Sequence, residues 1–178
     1  TLMENVDLYI DGITDLAWRE KMFNIIKYVP SRQMVVVKND FKPKTISDLN
    51  NKVCVMVRNT AMEQNLEKLK ITHQINFTYL YTEKFDDMDK LLSEGKADFT
   101  VYDSDRAFAA MANYNNLNIA WPISETLMMG WAIHKKNKLL KTILEKYFKY
   151  AQESAILDKY WKLSYGVTFI DYLKILNL

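Results

Sequence analysis

GKADFTVYDSDRAFAAM, residues Gly95–Met111, reads as a buried strand over Ala97–Tyr102 running directly into a helix that begins at Ser104. Asp103 stands at the junction. An aspartate at an N-cap accepts hydrogen bonds from the unpaired N–H groups of the first helical turn. Ser104 and Asp105 follow, where negative charge also suits the helix dipole. The carboxyl end of a strand is equally the place where α/β sheets bind small ligands. Asp103 is therefore a helix cap, a ligand contact, or both.

Working outward, strands and helices alternate. Val6–Ile10 reads as a strand broken at Asp11-Gly12, after Leu2–Asn5, which resembles the tail of a helix. Thr14 or Asp15 is suited to cap a short helix carrying Trp18, Arg19, Glu20 and Lys21. Arg19 is either a solvated helix side chain or a fork of N–H donors matched to a carboxylate. Gln33–Lys38 is a second strand, and Ser47-Asp48 suits the cap of a short turn. Lys52–Val57 is the continuous apolar run of a parallel-sheet strand. It ends at Arg58-Asn59-Thr60, ahead of a helix over Ala61–Leu69. Asn59 and Thr60 thus occupy a second strand-to-helix junction, where exposed N–H groups favour an anion, although Thr60 also reads as a plain N-cap.

Further strands are expected at Asn76–Tyr81, Asn118–Ile123 and Met128–His134. Pro122 suits an edge strand, and Gly130 marks a close backbone approach. Helices are expected at Phe85–Ser93, closed by Gly95, then at Ser104–Asn113, Lys138–Ser154 and Ala155–Leu163. The Lys138–Ser154 helix places Leu139, Leu140, Ile143, Leu144, Tyr147, Phe148 and Ala151 at helical spacing. Gly166 breaks the pattern before an apolar tail, Phe169–Leu178. The alternation predicts a layered α/β fold with mostly parallel strands.

Composition narrows the function. The 178 residues carry 24 basic and 22 acidic side chains, for a net charge of +2. That balance argues against nucleic-acid or membrane binding driven by bulk charge. Mean hydropathy is −0.23 with 49% hydrophobic residues, as expected of a chain with a real core. Cys54 is the sole cysteine and lies in an apolar run. With His73 and His134 far apart, the donors for a zinc site or a Cys/His nucleophile are missing. No cofactor and no metal are expected. The opening TLMENVDLYI has no initiator Met and reads as an excised or processed piece.

Three blocks carry a resemblance. They are VDLYIDGITDLAWREKMFNIIKYV (Val6–Val29), KTISDLNNKVCVMVRNTAMEQNLEKL (Lys44–Leu69) and KLLSEGKADFTVYDSDRAFAAM (Lys90–Met111). In this order they resemble the conserved blocks of type II periplasmic solute-binding proteins, the family of the amino-acid receptors of ABC transporters. The Asp103-Ser104 pair and the ending Tyr160–Gly166 with Phe169–Tyr172 resemble, in particular, the N-terminal module of membrane-bound lytic transglycosylase F.

The resemblance implies a two-lobed fold. Lobe I would comprise residues 1–34 and 124–178, and lobe II residues 35–123, with crossing strands near 33–38 and 118–123. It also implies that the family's first block should precede Thr1, leaving lobe I incomplete, and that a transglycosylase domain would follow Leu178. The ligand set carries over residue by residue. Arg19 and Thr14 would hold a ligand carboxylate, Asn59 and Thr60 would donate to it, and Asp103 would accept from its ammonium. Arg58 stands where the family's turn has Gly.

The expectation is a periplasmic or cell-envelope module that captures an amino acid or a peptidoglycan-derived peptide between lobes closing by a hinge. In the full-length protein it would be tethered to a membrane or to a catalytic domain that it regulates. A transport receptor or the sensor domain of a signalling kinase or cyclase would use the same residues. An enzyme would need a carboxylate pair among Asp98, Asp103 and Asp105.

Overall fold

The computed structural model describes residues 6–176. The helix tail expected at Leu2–Asn5 lies outside them. In chain order come β1 (Leu8–Thr14), α1 (Ala17–Met22), β2 (Phe23–Ser31) and β3 (Gln33–Lys38). A 3-10 turn over Ile46–Leu49 precedes β4 (Val53–Val57), α2 (Ala61–His73), β5 (Thr78–Thr82), α3 (Phe85–Ser93), β6 (Phe99–Asp103) and α4 (Ser104–Asn113). Then follow β7 (Leu117–Pro122), β8 (Leu127–His134), α5 (Lys138–Glu153), α6 (Ile156–Tyr165) and α7 (Phe169–Ile175). The chain forms two compact units. The first holds Thr1–Ser31, Thr126–Leu163 and Val167–Leu178, and the second Arg32–Glu125 with Ser164–Gly166.

The second unit is built on a sheet of order β5-β4-β6-β3-β7. Met34–Val37, Cys54–Met56 and Phe99–Tyr102 are all buried, because helices cover a sheet whose central strands are apolar on both faces. β4 runs parallel to β5 and β6, but β3 runs antiparallel to β6 and β7. β3 brings the chain into this unit and β7 takes it out, so the two lie side by side in opposite senses. Pro122 ends β7 on the sheet's edge, where a missing N–H costs no ladder bond.

In the first unit β8 lies between β1 and β2, antiparallel to both. The expectation of mostly parallel strands is corrected here: among the described residues two pairings are parallel and four antiparallel. Asp11-Gly12 does not end the first strand either. The register between Tyr9 and Ile13 slips instead, and the ladder absorbs the pair as an irregularity. β2 is a strand the sequence reading passes over, with Ile25, Ile26 and Val29 buried.

Ile26, Ile133, Leu144 and Phe148 form the core on which α5 packs. Tyr28 stacks on Phe148 at 4.5 Å between centroids, and Trp131 meets the same ring edge-on at 4.9 Å. Of the apolar residues expected to be core on α5, Leu139, Ile143 and Tyr147 are exposed, since the helix's apolar arc is wider than the three-stranded sheet beneath it. Of the apolar tail expected over Phe169–Leu178, Phe169–Ile175 forms α7, and residues 177–178 lie outside the described ones. The N-cap hydroxyl of α7, Thr168, accepts from the Asp171 N–H, and Tyr172 donates to the Pro30 carbonyl at 2.6 Å.

Candidate ligand-binding site

Thr14 and Arg19 belong to the first unit. Thr14 closes β1, and the next turn is capped by neither Thr14 nor Asp15. Leu16 holds the N-cap position in extended conformation, with no side-chain capping bond. The Asp15 carboxylate goes instead to Lys27, which also pairs with Glu20 at 3.1 Å. Those two carboxylates raise the Lys27 pKa. Arg19 sits between these acids in sequence yet pairs with neither. It donates from Nη1 to the Thr14 carbonyl at 3.0 Å, and its guanidinium lies 5.2 Å from the Trp18 ring centroid. No Asp or Glu among the described residues forms an ion pair with it. The structure thus joins Thr14 to Arg19, through the carbonyl rather than the hydroxyl.

Asn59, Thr60 and Asp103 belong to the second unit, at the carboxyl ends of β4 and β6. Asn59 is left-handed (φ +62°). Its N–H donates to Glu63 Oε2 at 2.6 Å, and the other oxygen of Glu63 accepts from the Tyr81 hydroxyl at 2.8 Å. Burial and this bond to Glu63 raise the Tyr81 pKa, which keeps the phenol a donor. The Arg58 guanidinium carbon lies over the Tyr81 ring, 3.6 Å from its centroid. The turn is therefore latched by Arg58, Tyr81 and Glu63, none of which was singled out with a role from sequence. Thr60 is the N-cap of α2: its hydroxyl accepts from the Glu63 N–H and donates to the Val57 carbonyl, both at 3.2 Å.

Asp103 occupies the N-cap position of α4 without making a side-chain capping bond. The expected capping role is corrected: the residue holds the N-cap position in extended conformation without a side-chain capping bond. Beside it, Ser104 is fully buried, and its hydroxyl accepts from the Arg32 N–H at 3.3 Å. Across the β3–β6 ladder Asp103 pairs with Gln33. The Gln33 side-chain oxygen accepts from Asn65 of α2 at 2.8 Å. Sequence reading missed Gln33 and Asn65. The available signal was a polar residue opening an otherwise apolar strand.

Asp98 stands at the other end of β6, about 16 Å from Asp103 by strand rise. Its carboxylate accepts from the Val53 N–H at 2.8 Å and lies 3.8 Å from Lys52. Asp98 and Asp103 are thus too far apart for the paired carboxylates of glycoside chemistry. Among the described residues no three His, Cys, Asp or Glu side chains gather as a metal set, and no helix is long and apolar enough to cross a membrane.

No family model matches the chain. Over 167 residues it is 26% identical to a membrane-bound lytic murein transglycosylase F of Saccharophagus degradans, covering 90% of this chain and 32% of the relative. A protein of the same name from Photobacterium profundum is 26% identical over 82% of this chain and 30% of its own length. The chain spans about a third of the length of these curated relatives. Among solved structures, a mutant of ArgBP from T. maritima superposes with TM-score 0.71 at 25% identity, over 92% of this chain and 70% of that one. The substrate binding protein of an amino acid ABC transporter gives 0.70 at 27% identity, over 90% and 71%. An ancestral cationic amino acid solute binding protein gives 0.76 at 22%, over 89% and 69%. The chain has the type II periplasmic-binding-protein fold, spanning about 70% of the length of those structures, and it resembles the N-terminal module of lytic transglycosylase F.

Proposed function

We propose that this chain, on a type II solute-binding scaffold, binds an amino acid or a peptidoglycan-derived peptide and performs no chemistry of its own. Arg19 carries the reading. A part-buried guanidinium is ordinarily compensated by a carboxylate. Here Asp15 and Glu20 are both committed to Lys27, and Arg19 is held by a carbonyl beside Trp18. Such a cation is set to take a carboxylate from outside the protein. In the second unit, taken by itself, Asp103 at the carboxyl end of β6 is the acceptor suited to an ammonium group. Thr14, Asn59 and Thr60 supply the remaining polar contacts, Asn59 through its side-chain amide, since its N–H is held by Glu63, and Thr60 through its backbone N–H.

The module works in the periplasm or cell envelope. Similarity to one stretch of much longer transglycosylases supports a regulatory part in such a protein, tethered to a membrane or to a catalytic domain. A transport receptor is the second reading, favoured by the similarity to an amino-acid ABC transporter's binding protein. Calorimetric titration of the folded chain with free amino acids and stem peptides is the test. Binding that weakens in both Arg19→Gln and Asp103→Asn supports the proposal, and a folded chain giving no heat with any of them overturns it.

A further inference from the structure

Gln33 is fixed at every polar group but one. Its N–H donates to Ser124 Oγ at 2.8 Å, and its carbonyl accepts from the Ile123 N–H at 2.7 Å. Its side-chain oxygen accepts from Asn65 Nδ2, which also donates to the Ile123 carbonyl at 3.3 Å. Asn65 thereby ties the start of β3 to the end of β7 and fixes which way the Gln33 carboxamide faces. A carboxamide with its oxygen engaged presents its NH2 on the other side. Directly opposed residues of an antiparallel ladder project to the same face, with Cβ atoms roughly 5 Å apart. Gln33 and Asp103 are such a pair. An amide donor and a carboxylate acceptor therefore stand together at the ligand-binding end of this sheet.

We propose that Gln33 is a ligand-contacting residue, and that with Asp103 it reads an aminoacyl head: Asp103 accepts from the ammonium, and Gln33 Nε2 donates to the carbonyl oxygen one carbon away. This inference rests on the reading of Asp103 given above. The pair recognises the free amino group and its neighbouring carbonyl, whatever follows. It accepts a free amino acid, an amino-acid amide or a peptide with an open N-terminus, and it rejects an N-acylated one.

The test titrates the full chain with the standard amino acids, their amides and their N-acetyl derivatives. Amino acids should bind, amides should still bind but more weakly for want of the carboxylate that Arg19 takes, and N-acetyl derivatives should not. Gln33→Glu keeps the shape and removes the donor, and should weaken binding about tenfold or more; the second carboxylate opposite Asp103 should also lower the melting temperature slightly. Gln33→Ala should weaken binding alike and, by removing the Asn65 acceptor, lower the melting temperature slightly. Asn65→Ala, which lets the carboxamide turn, should weaken binding by a smaller factor. Wild-type affinity in both Gln33 variants, with Asp103→Asn impaired, overturns the inference and leaves the binding function standing. Wild-type affinity in Asp103→Asn and Arg19→Gln overturns the functional reading and this inference with it.

Discussion

Arg106, in the first turn of α4, donates to the carboxylate of Asp89 on α3, a residue only 2% exposed. Tyr102 donates to the same carboxylate at 2.7 Å. Burial and the Asp89 charge push the Tyr102 pKa far up, so the phenol stays a donor. The network ties two helices to β6 just past Asp103. Removing Arg106 leaves a buried carboxylate without its cation, so Arg106→Ala should cost about 3–5 kcal/mol. Adding Asp89→Asn should recover part of it. Urea unfolding of the two variants decides this. The second contact of Arg106, to Asp86, counts for little because that acid is 94% exposed.

Gly130 cannot carry a side chain. A Cβ there would lie 2.0 Å from the Ile26 carbonyl oxygen and 2.9 Å from the Lys27 Cα. Both atoms are backbone of the neighbouring strand, so β2 and β8 would have to separate. Gly130→Ala should destabilise the first unit by about 3 kcal/mol, read from the urea midpoint.

Acid should weaken the turn over Ile46–Leu49. Asp48 accepts from the Lys44 and Thr45 N–H groups at 2.8 and 2.9 Å, and these bonds lower its pKa below the usual 3.8. A lowered folded-state pKa stabilises above the unfolded value and is lost as pH falls through the folded one. The melting temperature should therefore drop below pH 3.8, and Asp48→Asn should flatten that part of the profile. The carboxylate of Asp171 behaves alike, its pKa lowered first by the Thr168 hydroxyl and then by Lys174.

Arg19→Lys keeps the charge and loses the planar fork. Because α1 buries no side chain, stability should be unchanged while ligand affinity falls about tenfold or more. Calorimetry beside a thermal melt separates the two effects.

Tyr172→Phe should cost about 1 kcal/mol, the Pro30 carbonyl losing its partner. Chemical denaturation of the variant measures it.

Much of this was legible in the residues. β3, α3 and α4 lie where the spacing of apolar residues puts them, and Gly130 was readable as a close approach before its neighbour was known. α7 carried its own sign in Thr168 and Asp171, an N-cap hydroxyl with an acid three positions on. β2 was hidden because its apolar residues follow no strict alternation. On α5 the spacing gave the apolar arc but not how much of it a sheet would cover.

The sequence by itself determined most of the elements and their order, that Arg19 lies in a short helix, and that Thr60 and Asp103 fall at strand-to-helix junctions. Those follow from local preferences, which short stretches of chain carry. Only the tertiary structure decided that β3 runs against its neighbours, that Asp15 and Glu20 pair with Lys27 rather than Arg19, and that Gln33 lies opposite Asp103. Each depends on register between segments far apart in the chain. Register is set by ladder hydrogen bonds and by which face is buried, and no local pattern encodes it.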